Sequence, residues 1–592
     1  MKQFLITAAG VFAGLTIFLI GVPFVLVMFA LGATGPAPVP AKSVLELDLR
    51  DQLTDQAPQS PLAGFGRNSV AVMTIVETLH RAETDGHIKG LLVRLPEGGI
   101  EPGMADEIRQ AVKRFRAAGK PVIAHSQGLY PAGVTTSTYM VGAASGEFWM
   151  QPGASLQATG LTSEDIFLKR FFDKYGVTPQ YEQRREYKNA VNTFLYSDYT
   201  PAHREATLSW MTSVYDANLA AAAADRRMAP AALRQTLEAG PYLAEDAVRL
   251  KLVDRTGQVR EAVQTLLDRA GEDSELVDFH DYARGRHDRV RRGQPAIAVI
   301  EAEGPILTGR DEGASPFTSN AAIYSDDIAD AIQRATRSNA VKAIVLRVNS
   351  PGGSDTASEQ ILDAIRAAKA KGKPVVVSMS TYAASGGYWI SSEASAIVAQ
   401  PTTLTGSIGV FGGKFAVGEA LARFGVDLRE TSVGGDYAGA FSLGRPFTAE
   451  QRAAFAGWMD RIYDNFIARV ARGRKLPVER VQEIAKGRVW TGAQAKQLGL
   501  VDEVGGFYDA VAKAKSLAGI EGDVALRRMT PVENPIEALE RAMGVSATSA
   551  RTLAAAAWVL GDPRAEALID RAAEARLRDG HGAAVLAPMP IR

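Results

Sequence analysis

Short, continuously apolar runs alternate with amphipathic stretches along most of this chain. In its second half AIAVIEAEG reads as a strand, residues 325–340 (SDDIADAIQRATRSNA) as a helix and AIVLRV as a buried strand. Residues 356–371 predict the next helix and PVVVSMS the next strand. Strands apolar on both faces must be covered on both sides, as in a parallel sheet flanked by helices. A strand–helix–strand order implies right-handed crossovers, so the expected fold class is α/β.

The pattern occurs twice, at an offset of about 250 residues. Residues 88–95 (IKGLLVRL) match 341–348 (VKAIVLRV), and Gly-Lys-Pro-Val opens the following strand at 119–122 and again at 372–375. Gln151-Pro152 matches Gln400-Pro401, and 240–254 (GPYLAEDAVRLKLVD) matches 487–502 (GRVWTGAQAKQLGLVD). The chain is a tandem duplication. The expected division is an anchor at 1–34, a linker at 35–41, repeats at 42–290 and 291–530, and a helical tail at 531–592.

The anchor follows from the N-terminus. No charged residue lies between Lys2 and Lys42, and residues 4–31 are almost wholly apolar. About 20 apolar residues in a helix span a bilayer, whereas a cleavable signal has an apolar stretch of only about 7–15. Small residues at Ala30–Ala33 leave cleavage as the alternative. The amino group and Lys2 favour the cytoplasmic side, which puts the remainder outside the cytoplasm. The linker GPAPVPA is stiff and polyproline-like.

Composition narrows the chemistry. At 592 residues the chain exceeds a single hydrophobic core. Its formal net charge of zero gives no reason to expect a nucleic-acid partner. With no cysteine there is no thiol nucleophile, no disulfide and no Cys-ligated zinc. No metal or other cofactor is expected.

Four stretches depart from what sheet packing requires. Asn349-Ser-Pro-Gly-Gly353 follows a buried strand; its glycines suit an oxyanion-binding nest, or simply a turn. In Tyr382-Ala-Ala-Ser-Gly-Gly-Tyr388, Ser385 sits at a helix start, either as an accessible nucleophile or as an N-cap. Leu404-Thr-Gly-Ser-Ile-Gly409 offers hydroxyls that orient a base or satisfy a turn. Lys188, in Tyr187-Lys188-Asn189, is taken alone an ordinary surface lysine.

What links them is what the chain lacks. A serine alcohol needs a base, yet no histidine occurs between Asp288 and Gly580, and none near His80, His87 or His125 has a catalytic setting. Lysine is the next candidate, because burial disfavours its charged form. Aligned on the repeat, Ser385 faces Thr136 and Lys188 faces Ala438, so each copy holds one half of a possible pair. One composite site per chain is the consequence.

Taken together, NSPGG, AASGGYW, TGSIGVFG and the GLVD ending resemble the bacterial signal peptide peptidase A family. The duplicated, anchored arrangement resembles its long subtype over roughly residues 1–530. The resemblance implies a Ser/Lys serine endopeptidase with Ser385 as nucleophile, Lys188 as general base and Ser407 orienting the lysine. The amides of Gly353 and Gly386 are expected to form the oxyanion hole. It further implies a fold shared with Clp protease and crotonase enzymes, and a homotetramer facing the membrane. The expected substrates are remnant signal peptides and other apolar peptides, met on the extracytoplasmic side of the inner membrane.

Two other readings remain. A crotonase-type acyl-CoA enzyme would use carboxylates and bind a nucleotide, and a scaffold that has lost its site would acylate nothing. One residue opposes the lysine base. Glu186, two positions before Lys188, would share its face in a strand and hold it charged.

Overall fold

The computed structural model describes residues 39–57, 69–285, 293–311, 321–529 and 584–586. The expected anchor therefore lies outside the described residues, as does nearly all of the tail. Among the described residues no helix is long and apolar enough to cross a membrane.

The elements that position the site begin in the first repeat. They are β1 (Ser43–Asp48), α1 (Val72–Thr84), β2 (Ile88–Leu95), α2 (Pro102–Ala117), β3 (Val122–Ser126), α3 (Thr135–Ala144), β4 (Glu147–Met150), β5 (Thr178–Gln183), α4 (Pro201–Arg226), β6 (Arg255–Thr256) and β7 (Glu275–Asp278). The second repeat supplies β8 (Ala296–Glu303), α5 (Ser325–Arg337), β9 (Val341–Ser350), β10 (Gly352–Ser354), α6 (Asp355–Ala370), β11 (Val375–Ala384) and α7 (Gly386–Ser391). It continues with β12 (Ala396–Ala399), β13 (Leu404–Gly406), β14 (Phe411–Ala416), α8 (Ala449–Arg474), β15 (Glu503–Val504) and β16 (Ala525–Arg528). From the tail only β17 (Ala584–Leu586) is described, and it is a strand.

Two parallel sheets share one order. The first runs β6-β4-β3-β2-β1-β7 and the second β15-β12-β11-β9-β8-β16. The helices at 325–337 and 355–370 end within three residues of the expected positions, and the PVVVSMS strand runs on through Ala384. Those extra residues lead straight into the serine turn. α4 and α8 hold equivalent places, each 26 residues long.

One apolar cluster joins the two repeats, beside a second that belongs to the second repeat alone. Leu91 and Val93 of β2 are buried in one cluster with Val299 of β8, Val345 of β9, Val376 of β11 and Phe507. Each such side chain contributes roughly 1.5–3 kcal/mol when buried. Within that apolar boundary lies a charged clamp. Arg347 on β9, fully buried, donates to both oxygens of Asp55 at 2.7 and 3.1 Å, to Glu107 Oε2 of α2 at 3.0 Å and to Ser378 Oγ at 2.9 Å. Ser380 Oγ donates to Asp55, and Gln400 Nε2 donates to Glu107 Oε2 at 2.8 Å. Burial raises Glu303, at the end of β8, to about 7. Neighbouring Asp55 pushes the same way, while the backbone N–H groups of Asp55 and Gln56 and the Asn349 amide favour its ionised form.

A third sheet crosses the repeats directly. β5 pairs antiparallel with β14 from Thr178↔Ala416 to Gln183↔Phe411. A hydrogen bond from Arg184 N–H to Val410 C=O, 2.9 Å, extends the ladder by one step. The chain leaving β5 is thereby carried into the second repeat.

Because both of its carboxylate partners are dry, Arg347→Ala leaves two uncompensated buried charges. Chemical unfolding is expected to show a loss of about 3–5 kcal/mol.

Candidate active site

The serine turn is built by a sharp exit from β11. Ser385 has φ 56° and ψ −115°, a conformation that L-residues seldom adopt and that surrounding contacts must enforce. Its N–H donates to Gly406 C=O at 2.8 Å, and its C=O accepts from Trp389 N–H at 2.8 Å. Although it occupies the N-cap position of α7, its side chain makes no capping bond. The hydroxyl is directed elsewhere.

It meets the lysine. Lys188 Nζ lies 2.7 Å from Ser385 Oγ, and it donates at 3.0 Å to both Ser407 Oγ and Ser407 C=O. The three residues are fully buried. Burial alone drives the Lys188 pKa well below the ordinary lysine range. A neutral primary amine has two N–H donors and one lone pair. Two donations to Ser407 leave the lone pair for the Ser385 proton.

Glu186 does not spoil this arrangement. β5 ends at Gln183, and Arg185 takes φ 72°, so the strand periodicity is broken before Lys188. Glu186 instead faces Lys486 at 3.4 Å, both side chains about half exposed. Tyr187 N–H donates to Lys486 C=O at 3.1 Å, which fixes the turn against the second repeat.

The two glycine turns are in contact. A Cβ on Gly386 would lie 2.9 Å from Gly353 N and 3.2 Å from Gly352 Cα, too close to be accommodated. The backbones of the two turns are thus packed directly against each other, next to Ser385. Gly487 is a neighbour of the lysine that sequence reasoning misses. Its φ is +79°, and a Cβ there would come within 2.6 Å of Lys188 Cβ. The only sequence signal is its place in the repeated GRVW segment, which reads as a helix approach and not as a wall around the lysine.

The same residues fall within the regions that this chain shares with known proteins. A model of "Peptidase family S49" matches residues 114–272, which include Lys188, and 367–521, which include Ser385 and Ser407. "Protease 4" of Salmonella typhi is 34% identical over 518 residues, covering 81% of this chain and 79% of that protein. This chain belongs to peptidase family S49. "Protease 4" of Haemophilus influenzae is 34% identical over 484 residues, covering 77% of this chain and 75% of the relative. "Serine protease SPPA, chloroplastic" of Arabidopsis thaliana is 30% identical over 485 residues, with 81% and 69% covered. The S49 peptidase is accordingly a serine endopeptidase, and neither the acyl-CoA nor the scaffold reading survives.

In the unfolded S49 peptidase Lys188 keeps its proton up to about pH 10.4. Folding must therefore release that proton, and the cost fades as pH rises from the lowered folded value towards the unfolded one. Lys188→Met avoids the cost. Its melting temperature is expected to exceed that of the wild type at pH 7, with the gap narrowing steadily towards pH 10.

Proposed function

We propose that this chain is a membrane-anchored signal peptide peptidase that cleaves apolar peptides through an acyl-enzyme formed on Ser385. The observation that carries the reading is the dry 2.7 Å contact between Ser385 Oγ and Lys188 Nζ, with Ser407 taking the amine's other hydrogens.

As Ser385 Oγ bonds to the substrate carbonyl carbon, its proton passes to Lys188 Nζ. The carbonyl oxygen becomes an oxyanion, held by the N–H groups of Gly353 and Gly386. When the C–N bond breaks, Lys188 returns the proton to the departing amine and regains its lone pair. A water molecule then gives a proton to Lys188 as it attacks the ester, and the collapse of that second intermediate breaks the bond to Ser385 Oγ, which takes the proton back from Lys188 as the peptide acid leaves.

Several features support the wider reading. β17 lies between β10, antiparallel to it at Gly353↔Val585, and β14 at Phe411↔Ala584. The gap beside the glycine turn thus suits an extended chain that adds as a strand. The apolar run at 4–31 and the stiff linker after it suit an anchor that holds the site near the outer face of the inner membrane. Exposed Phe424, Val426, Leu428 and Val433 suit burial against further copies in a homotetramer. Remnant signal peptides are the apolar, extended substrates such a site would meet.

The test is hydrolysis of a synthetic apolar signal peptide by the detergent-solubilised protein. Ser385→Ala and Lys188→Met should each lower kcat/KM at least about 10³-fold, with folding intact. Because the base acts only when neutral, wild-type kcat/KM should rise with pH through the Lys188 pKa and then level off. Cleavage that persists in Ser385→Ala would overturn the assignment.

A further inference from the structure

β11 is not paired regularly with β9. Val348 faces Met379, but the next pair is Ser350 with Ala383, so two extra residues are inserted in β11 opposite Asn349. A bulge of this kind strips backbone groups of their ladder partners and re-aims the residues beyond it. Here that residue is Ser385, two positions after Ala383.

The Asn349 side chain fills the gap. Its Oδ1 accepts from Tyr382 N–H at 3.1 Å, replacing the missing ladder bond. Its Nδ2 donates to Glu303 Oε1 at 3.0 Å. Glu303 also accepts from the backbone N–H groups of Asp55 at 3.1 Å and Gln56 at 3.0 Å, which belong to the first repeat. Asn349 itself stands on the strand that turns into Gly352 and Gly353, and its C=O accepts from Gly304 N–H at 2.9 Å. One carboxamide thus ties the glycine turn, the serine-bearing strand and the other repeat together.

The first repeat supplies the contrast. There β2 pairs with β3 in regular register from Leu91↔Val122 to Leu95↔Ser126, and the residue after Leu95 is Pro96, which has no side-chain amide. The first repeat makes the same slip, Tyr130 N–H donating to Glu97 C=O at 2.7 Å with three residues opposite Pro96, but no carboxamide fills it there.

We propose that Asn349 is a positioning residue for the peptidase reaction, its carboxamide bracing the bulge in β11 so that Ser385 is held fixed relative to the Gly352–Gly353 turn. This rests on Ser385 being the nucleophile. Asn349 touches no reacting atom; it acts through the backbone of Tyr382. A displacement of about 1 Å in the attacking atom can cost about 100-fold in rate, and substrate contacts away from that atom would be unaffected.

The experiment uses the full chain in detergent, an apolar chromogenic peptide amide for kcat and KM, and a fluorophosphonate probe for the rate of serine modification. Asn349→Asp places a carboxylate against Glu303 and should lower both kcat and the labelling rate about 100-fold, with KM little changed. In the double variant with Glu303→Gln, the new amide donates to the introduced carboxylate and recovers roughly a tenth of the wild-type rate. Asn349→Ala removes the carboxamide without adding charge, and carries the test should the aspartate variant fail to fold. Wild-type kcat in the alanine variant, or a loss that only tracks melting temperature or KM and is not recovered in the double variant, overturns the proposal. Wild-type protein whose Ser385 takes up no probe overturns the nucleophile reading instead.

Discussion

The constraint on which the proposed mechanism depends is that one lysine stays dry. A protonated Lys188 has no lone pair to offer, and water at its amine would favour the proton. The second repeat closes over the lysine with Ser385, Ser407 and the unadorned backbone of Gly487, while the first repeat contributes only the lysine and the turn that bears it. Ser407 then supplies the polarity that solvent would have provided, through two acceptors and no carboxylate.

That closure is an agreement between two repeats, and an apolar interface alone would specify it weakly, since hydrophobic burial has no direction. The buried clamp adds direction. Arg347 accepts only partners placed in its fork, and Asp55 and Glu107 meet that demand from two different elements of the first repeat. β5 pairs with β14 in a fixed register and sets the remaining coordinate, the advance of Lys188 along the second repeat. Core, clamp and shared ladder therefore set closeness, orientation and register separately.

Much of this is legible in the sequence, and the remainder is hidden for physical reasons. The duplication shows because each copy keeps its strand–helix order and its Gly-Lys-Pro-Val and Leu-Val-Asp landmarks. Ser385 and Lys188 stand out through complementary loss between copies, a comparison that needs no coordinates. Arg347 does not stand out, because an arginine in IVLRV looks like an ordinary strand-end residue, and the partner that buries it lies 292 residues upstream. Glu186 looks threatening because period-two reasoning holds only while the strand lasts, and one positive-φ residue, Arg185, ends it. Asn349 reads as part of a turn, since a two-residue slip between neighbouring strands leaves no trace in their hydrophobic pattern.

The division of the site between repeats also has a consequence in time. The polypeptide emerges from the ribosome N-terminus first, so its lysine appears 197 residues before its serine. Until the second repeat has been synthesised and has closed on the first, Lys188 is solvated and charged, and the serine it would activate is missing. Under the proposed mechanism a chain still being made therefore carries no working protease beside its own unfolded segments, and tandem duplication acts here as a delay built into synthesis.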